Sequence, residues 1–503
     1  MLELDGSSLT LEDVGGVARR SAPVALAESA RGAIERGRAL VQEKIAAGES
    51  VYGVNTGFGD LASKRIDDSD LETLQERLLL SHAAGVGRPL PDEVVRAMLL
   101  LRANTLVRGH SGVRVELVER LLQHLNEGIL PLVPRKGSVG ASGDLAPLAH
   151  LALPLVGRGK VRIGDRVLEA DVALAEAGLT PLALGPKEGL ALINGTQAMS
   201  ASLALSAIDV RTLVRLADLI GALSTDAFRG TDACFDQRVS ALRPHPGQVA
   251  SARNLWRLLE GSAIRESHRL GDLRVQDPYS FRCMPQVHGA VRDVLSDVVA
   301  KVEIEINSVT DNPVVFPESG DVISAGNFHG EPMALAADFL AIALCEIGTI
   351  SERRIEKLTY PAFSGLPAFL VDEPGLNSGF MLAHVTSAAL ASENKGLAHP
   401  ASVDSIPTSA DKEDHVSMGQ TAALKLRRSV RNVRRILAIE LLAAAQGIEF
   451  LRPLRSSNRL ESLHQAIRVR IPKWTEDHVM ADDIAAAETL LIEEGEALVG
   501  DLE

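Results

Sequence analysis

The sequence predicts a mainly α-helical protein: a long-helix bundle preceded by a mixed, mostly helical N-terminal part. Three observations carry this. Apolar residues recur at helical spacing over long stretches, at about 197–223, 286–309, 332–358 and 416–446. Hydrophobic residues make up 46% of the chain but aromatics only 3%, with three tyrosines (Tyr52, Tyr279 and Tyr360). A core of Ala, Leu, Val and Ile suits packed helices better than a β-sandwich. Only residues 160–170 give a clear strand signal, where Val161, Ile163 and Val167 flank Gly164-Asp165 as in a small hairpin.

Taken in order, the first helix is expected from Ala27 to Ala47, with Ala30, Ile34, Val41 and Ile45 on one face and Gly48 ending it. The segment from Val51 to Asp60 holds three glycines in ten residues and reads as a loop. Leu71, Leu74 and Leu78 stripe the next helix, and His82 extends the same face. Amphipathic helices follow at about 92–107 and 113–127, the second closed by Gly128. After residue 197 the chain is almost wholly helical. In the second long segment Val291, Leu295, Val298, Val302, Ile306 and Val309 hold one stripe for about five turns, long enough to cross a subunit. A polar loop, Ala401 to Glu413, precedes the last long helix. The acidic C-terminal end, with Glu488, Glu493, Glu494 and Glu496, reads as a solvated face. At 503 residues the chain exceeds one ordinary domain. The expected division is 1–196 and 197–503, the latter a bundle with a helical tail.

Charge and cysteine usage exclude several functions. The net charge of −14 gives no electrostatic reason to bind nucleic acid or an anionic membrane. The three cysteines are odd in number and far apart, which argues against a disulfide framework or a paired-cysteine metal site and fits a reducing, cytoplasmic compartment. The acidic N-terminus has no signal-peptide pattern. The apolar run from Met333 to Ile350 is broken by Asp338 and Glu346 and reads as a core helix.

The most distinctive stretch is Gly137-Ser138-Val139-Gly140-Ala141-Ser142-Gly143-Asp144-Leu145-Ala146-Pro147-Leu148. Glycine lets the backbone bend tightly and approach other groups closely. Asp144 can cap a following helix with Pro147 in its first turn. By itself this is a glycine-rich turn. It is not a nucleophile elbow, because Asp144 stands where G-x-S-x-G needs glycine, and no complete phosphate-binding glycine motif occurs. Other polar residues each have a plain reading. Tyr52 can be a buried tyrosine, His82 a core histidine and Asn194 a turn residue. Glu413 can be a helix-start acid. The segment Gln276-Asp277-Pro278-Tyr279-Ser280-Phe281-Arg282 is harder to dismiss, since an arginine fork there matches a carboxylate.

Together these segments resemble, in order over roughly residues 50–420, the blocks of the histidine and aromatic amino-acid ammonia-lyases. The blocks are Tyr-Gly-Val-Asn-Thr-Gly-Phe-Gly (52–59), Ser-His-Ala-Ala-Gly (81–85), the Ala-Ser-Gly stretch, Ile-Asn-Gly-Thr (193–196), Gln-Asp-x-Tyr-Ser-x-Arg (276–282), Gly-Asn-Phe-His-Gly (326–330) and Glu-Asp-His-Val-Ser-Met (413–418). The resemblance implies that Ala141-Ser142-Gly143 cyclises to a methylidene-imidazolone electrophile, with Asp144 assisting and no metal or external cofactor. It implies Tyr52 as the base. Arg282 would clamp the substrate carboxylate, and Tyr279, Asn194 and Gln276 would hold the reacting groups. Phe328 would pack near the electrophile. It also implies a homotetramer with active sites shared between subunits.

Ser81-His82 with Glu413 resembles the histidine-specific branch, so the expected reaction is L-histidine to trans-urocanate and ammonia. An imidazole needs polar partners, whereas a phenyl ring would leave them unpaired at about 1–3 kcal/mol each. The chain departs from that branch at Asp411-Lys412, which replaces Asn-Gln and sets a cation beside Glu413 where it can pair with it. The rivals are a tyrosine or phenylalanine lyase, or an aminomutase, on the same electrophile. A non-catalytic helical scaffold would leave Tyr52, Ser142 and Arg282 on three separate loops unexplained.

Overall fold

The structure, a computed structural model, describes residues 1–57, 65–272 and 274–503. Phe58, Gly59 and Asp60 of the expected glycine-rich loop lie outside the described residues. The fold is mainly α, as the sequence predicts, and its strands are short pieces of two to four residues. The four long segments form helices Gln197–Phe228, Met284–Glu305, Glu331–Thr359 and Gly419–Glu449. The expected hairpin pairs Lys160–Ile163 with Arg166–Glu169, and Leu130–Pro131 adds a third strand on the far side of Lys160–Ile163.

The chain forms two compact units, each discontinuous in sequence. One comprises Met1–Ile208, Val299–Asp338 and Pro400–Leu424; the other comprises Asp209–Val298, Phe339–His399 and Lys425–Glu503. The boundary expected at residue 196 is not among the cuts. They fall within or beside the long helices, where uninterrupted i→i−4 hydrogen bonding carries the chain onward without a linker.

In the first unit a helix at Leu11–Arg20 precedes the one expected first, which spans Glu28–Ala46. Gly15 and Gly16 weaken its helical signal. Its start is fixed by a reciprocal cap: Thr10 Oγ1 accepts from the Asp13 amide at 3.1 Å, and the Asp13 carboxylate accepts from the Thr10 amide at 3.0 Å. Helix Asp92–Val107 is the central rod of this unit. It is buried almost all round and packs on Leu11–Arg20, Glu28–Ala46 and Val115–Glu127.

The second unit buries ion pairs inside its helical core. The Glu440 carboxylate accepts a two-pronged contact from Arg354, at 2.5 and 2.9 Å, and hydrogen bonds from the Ser224 and Ser351 hydroxyls. Burial pushes the Asp218 carboxyl up, but Arg292 and His288 overcome this and hold it at about 2. The acidic C-terminal end is paired rather than merely solvated: Glu488 meets Arg435, Glu493 and Glu494 meet Arg470, and Glu496 meets Arg215. Helix Glu331–Thr359 is long and apolar enough to span a bilayer, but 67% of its most apolar window is buried inside the protein, as for a core helix.

Candidate active site

The Ala141-Ser142-Gly143 turn is gripped from three directions within the first unit. Gly143 and Gly195 face each other in an isolated bridge, and the Asp144 amide donates to the Gly195 carbonyl at 2.6 Å. Gly143 has φ +71°, and a Cβ there would lie 2.1 Å from the Gly195 oxygen, so only glycine fits. On another side the Ser417 hydroxyl donates to the Gly140 carbonyl at 3.0 Å, and the Met418 amide donates to the Val139 carbonyl at 2.8 Å. The third hold is the Gly330 amide, which donates to the Gly140 carbonyl at 3.2 Å.

Asp144 occupies the N-cap position of helix Leu145–Ala152, but its side chain does not cap that helix. It turns inward instead. One oxygen accepts from the Ser138 hydroxyl at 2.7 Å and the other from the Met199 amide at 2.9 Å. Full burial outweighs these bonds and pushes its carboxyl up to about 6.

A cavity of about 310 Å³ opens beside the turn, and all its lining residues belong to the first unit. Tyr52, His82, Ser142, Asn194, Phe328 and Glu413, each singled out from the sequence, meet there. Tyr52 is presented by a loop in which the Val51 amide donates to Asn55 Oδ1 at 2.8 Å. Gly53 at φ +69° lets this loop lie on Leu190; a Cβ would stand 2.2 Å from the leucine Cδ2. Asn194 donates to the Ser142 carbonyl at 2.9 Å, while its Oδ1 is buried with no partner among the described residues. A buried acceptor left open at a cavity wall is available to a ligand donor.

The two residues expected to meet the substrate ring, His82 and Glu413, both line the cavity. His82 ends helix Leu71–His82, and its Nδ1 lies 2.9 Å from the Leu78 carbonyl. A carbonyl only accepts, so Nδ1 carries the proton and Nε2 is the acceptor of the neutral ring. Burial lowers the pKa of His82, opposed by the Leu78 hydrogen bond and by Glu413. Glu413 is half-buried and accepts from the Ser142 hydroxyl at 2.5 Å and the Thr408 hydroxyl at 2.8 Å. The pairing open to Lys412 and Glu413 is not made: Lys412 lines the cavity, and the Glu413 carboxylate accepts from two hydroxyls. Thr408 and Ser142 occupy the glutamate instead.

Gln276, Tyr279 and Arg282 belong to the second unit and are not among the residues lining this cavity. Gln276 is exposed, Tyr279 is 71% exposed, and the Arg282 guanidinium sits 4.5 Å over the tyrosine ring. The sequence reading missed Asn312 and Ser324, which also line the cavity and carry no motif signal. It also missed Arg102, whose signal is a lone charge within the apolar run 97–101 and 103.

The family model for aromatic amino acid lyases matches residues 9–469. The chain belongs to that family. Among aromatic amino acid lyase relatives, a histidine ammonia-lyase of Anaeromyxobacter sp. (strain K) is 53% identical over 502 residues, covering 98% of this chain and 99% of the relative. The crystal structure of histidine ammonia-lyase from Trypanosoma cruzi matches with a TM-score of 0.92 at 44% identity, covering 99% of this chain and 94% of that one. A tyrosine aminomutase from Streptomyces globisporus matches with a TM-score of 0.94 at 37% identity, covering 100% and 99%. The family expected from the sequence, and its helical fold, are thus borne out.

Proposed function

We propose that this lyase converts L-histidine to trans-urocanate and ammonia, using an electrophile made from its own Ala141-Ser142-Gly143. The observation that carries this is the single cavity joining Ser142 to Tyr52, Asn194, His82 and Glu413. The turn fits formation of a methylidene-imidazolone. Gly143 has no Cβ to block approach of its nitrogen to the Ala141 carbonyl, and the Gly195 backbone lies directly against it. Closure forms the Gly143 N–Ala141 C bond with loss of one water. A second water leaves with the Ser142 hydroxyl and α-hydrogen. When formed, the group supplies an electrophilic carbon for the substrate amine.

The chain's own residues bind and deprotonate. Tyr52 takes the β-proton of the substrate. Asn194 Oδ1, otherwise unpartnered, accepts from the amine. Loss of the Ser142 hydroxyl releases Glu413 Oε1, which then accepts an imidazole N–H, and His82 Nε2 is an acceptor for the second N–H that the ring carries when protonated. Phe328 walls the site. A phenyl ring leaves both acceptors unmet, at about 1–3 kcal/mol each, and a phenol with its single O–H can meet only one. The substrate carboxylate is clamped by Arg282, with Tyr279 and Gln276, from a neighbouring copy in a homotetramer. Two features support this: the exposure of Tyr279, and an apolar groove on the second unit formed by Val287, Ala290, Val294, Phe339 and Ile342. The reaction belongs to the reducing cytoplasm, as the three scattered cysteines suggest.

The similarity to tyrosine aminomutase makes a tyrosine-handling enzyme the second reading. Purified protein offered L-histidine, L-tyrosine and L-phenylalanine in turn separates them by the absorbance of the conjugated acrylate. Urocanate from histidine alone is expected; turnover of tyrosine in preference would reject the assignment. Tyr52→Phe should lower kcat by about 10²–10⁴-fold while leaving the near-UV band of the electrophile in place.

A further inference from the structure

Arg102 lies in the middle of helix Asp92–Val107, next to Leu99, Leu100, Leu101 and Ala103, and is fully buried. Burial lowers its pKa to about 10, so it is charged at neutral pH. It makes no ion pair, and its Nε and Nη2 have no partner among the described residues. Only Nη1 is engaged. It donates to the Asn194 carbonyl at 3.1 Å, to Gln197 Oε1 at 3.0 Å and to the Thr310 carbonyl at 3.3 Å. A buried cation held this way is a poor device for stability, because an apolar side chain of similar volume serves a core at least as well. What it does hold is the backbone that presses on the electrophile turn.

The geometry is layered. A Cβ on Gly195 would lie 2.3 Å from Arg102 Nη1, and a Cβ on Gly143 would lie 2.1 Å from the Gly195 oxygen. Gly195 is therefore sandwiched between the guanidinium and the turn. The same segment reaches the turn through Asn194 Nδ2 on the Ser142 carbonyl and through the Gly195 carbonyl on the Asp144 amide. Closure needs the Gly143 nitrogen driven against the Ala141 carbonyl carbon. Retreat of 194–196 would let Gly143 swing away from the Ala141 carbonyl, and Arg102 stands behind that segment.

We infer that Arg102 is a positioning residue for self-cyclisation: it backs residues 194–196 so that Gly195 keeps Ala141-Ser142-Gly143 compressed. It touches neither substrate nor the reacting atoms. In the balanced reaction the Gly143 N–Ala141 C bond forms and two waters leave, and Arg102 exchanges no proton in either step. The inference rests on the proposed electrophile, so the unaltered chain is its control.

The test compares the unaltered chain with Arg102→Met and Arg102→Lys. Two quantities are read on folded, assembled protein: the intact mass, which falls by two waters on cyclisation, and the near-UV absorbance per protomer. The unaltered chain should be cyclised, Arg102→Met at least tenfold less so, and Arg102→Lys intermediate. A merely structural arginine would lower Tm and leave the cyclised fraction of folded protein unchanged, and that result overturns the inference. Should Arg102→Met not fold, Arg102→Lys and Gln197→Met carry the same measurement; full cyclisation in both rejects the role. An unaltered chain that never loses two waters refutes the electrophile itself, a separate failure.

Discussion

Two glutamates in this protein each accept a serine hydroxyl, and their surroundings could hardly differ more. Glu440, fully buried in the second unit, meets the Arg354 fork and two serines, so its charge is neutralised and its lone pairs are filled. Glu413, half-buried in the first unit, meets two hydroxyls and, among the described residues, no cation, and it lines a cavity. One of the hydroxyls it holds is that of Ser142, which the proposed electrophile would shed as water. The contrast separates a carboxylate that completes a core from one that keeps a charge and a lone pair in reserve for a ligand.

The largest effect should come from breaking the saturated member. Glu440→Gln strands the Arg354 guanidinium in the core and should cost about 3–5 kcal/mol of stability. Thermal unfolding should show a large fall in Tm, while kcat and KM of the protein that remains folded stay near those of the parent. A normal Tm would mean that the pair is not a structural one.

Next is a test of burial without a cation. Asp144, raised to about 6 in the folded protein against 3.8 for an ordinary aspartate, binds its proton more tightly folded than unfolded. Its contribution is therefore most favourable below about pH 4 and is lost as pH rises through 6, by about 3 kcal/mol at most. Asp144→Asn cannot ionise, so its Tm relative to the parent should improve between pH 5 and pH 8. A variant-minus-parent Tm difference that rises with pH supports the burial account; one that falls with pH contradicts it.

Glu413→Gln keeps the shape and should leave Tm almost unchanged, but remove about 1–3 kcal/mol of imidazole recognition. That is a loss of roughly 5–150-fold in kcat/KM for L-histidine, measured by urocanate absorbance. Improved turnover of histidine would remove Glu413 from the ring-binding role. The smallest change is expected for Lys412→Gln. Lys412 lines the cavity without pairing with Glu413, so kcat/KM should move only a few-fold, with a salt dependence smaller than the parent's.

The fold class, the long helices and six of the thirteen cavity-lining side chains were legible in the sequence, because period and motif both survive in one dimension. The Glu413–Ser142 contact was not, since it joins residues 271 positions apart and no spacing rule links them. The helix at Leu11–Arg20 was hidden by its paired glycines, although Thr10 and Asp13 carried a readable cap. Arg102 escaped notice because a single charge in an apolar run marks burial without saying what it faces. The unit boundaries were illegible for a different reason: continuous helices leave no linker composition to find.

The most direct measurement of the central claim compares the parent with Ser142→Ala for intact mass, near-UV absorbance and urocanate formation from L-histidine. The account predicts that the parent has lost two waters, absorbs in the near UV and makes urocanate, and that Ser142→Ala folds alike but does none of these. A Ser142→Ala protein that still makes urocanate would contradict it.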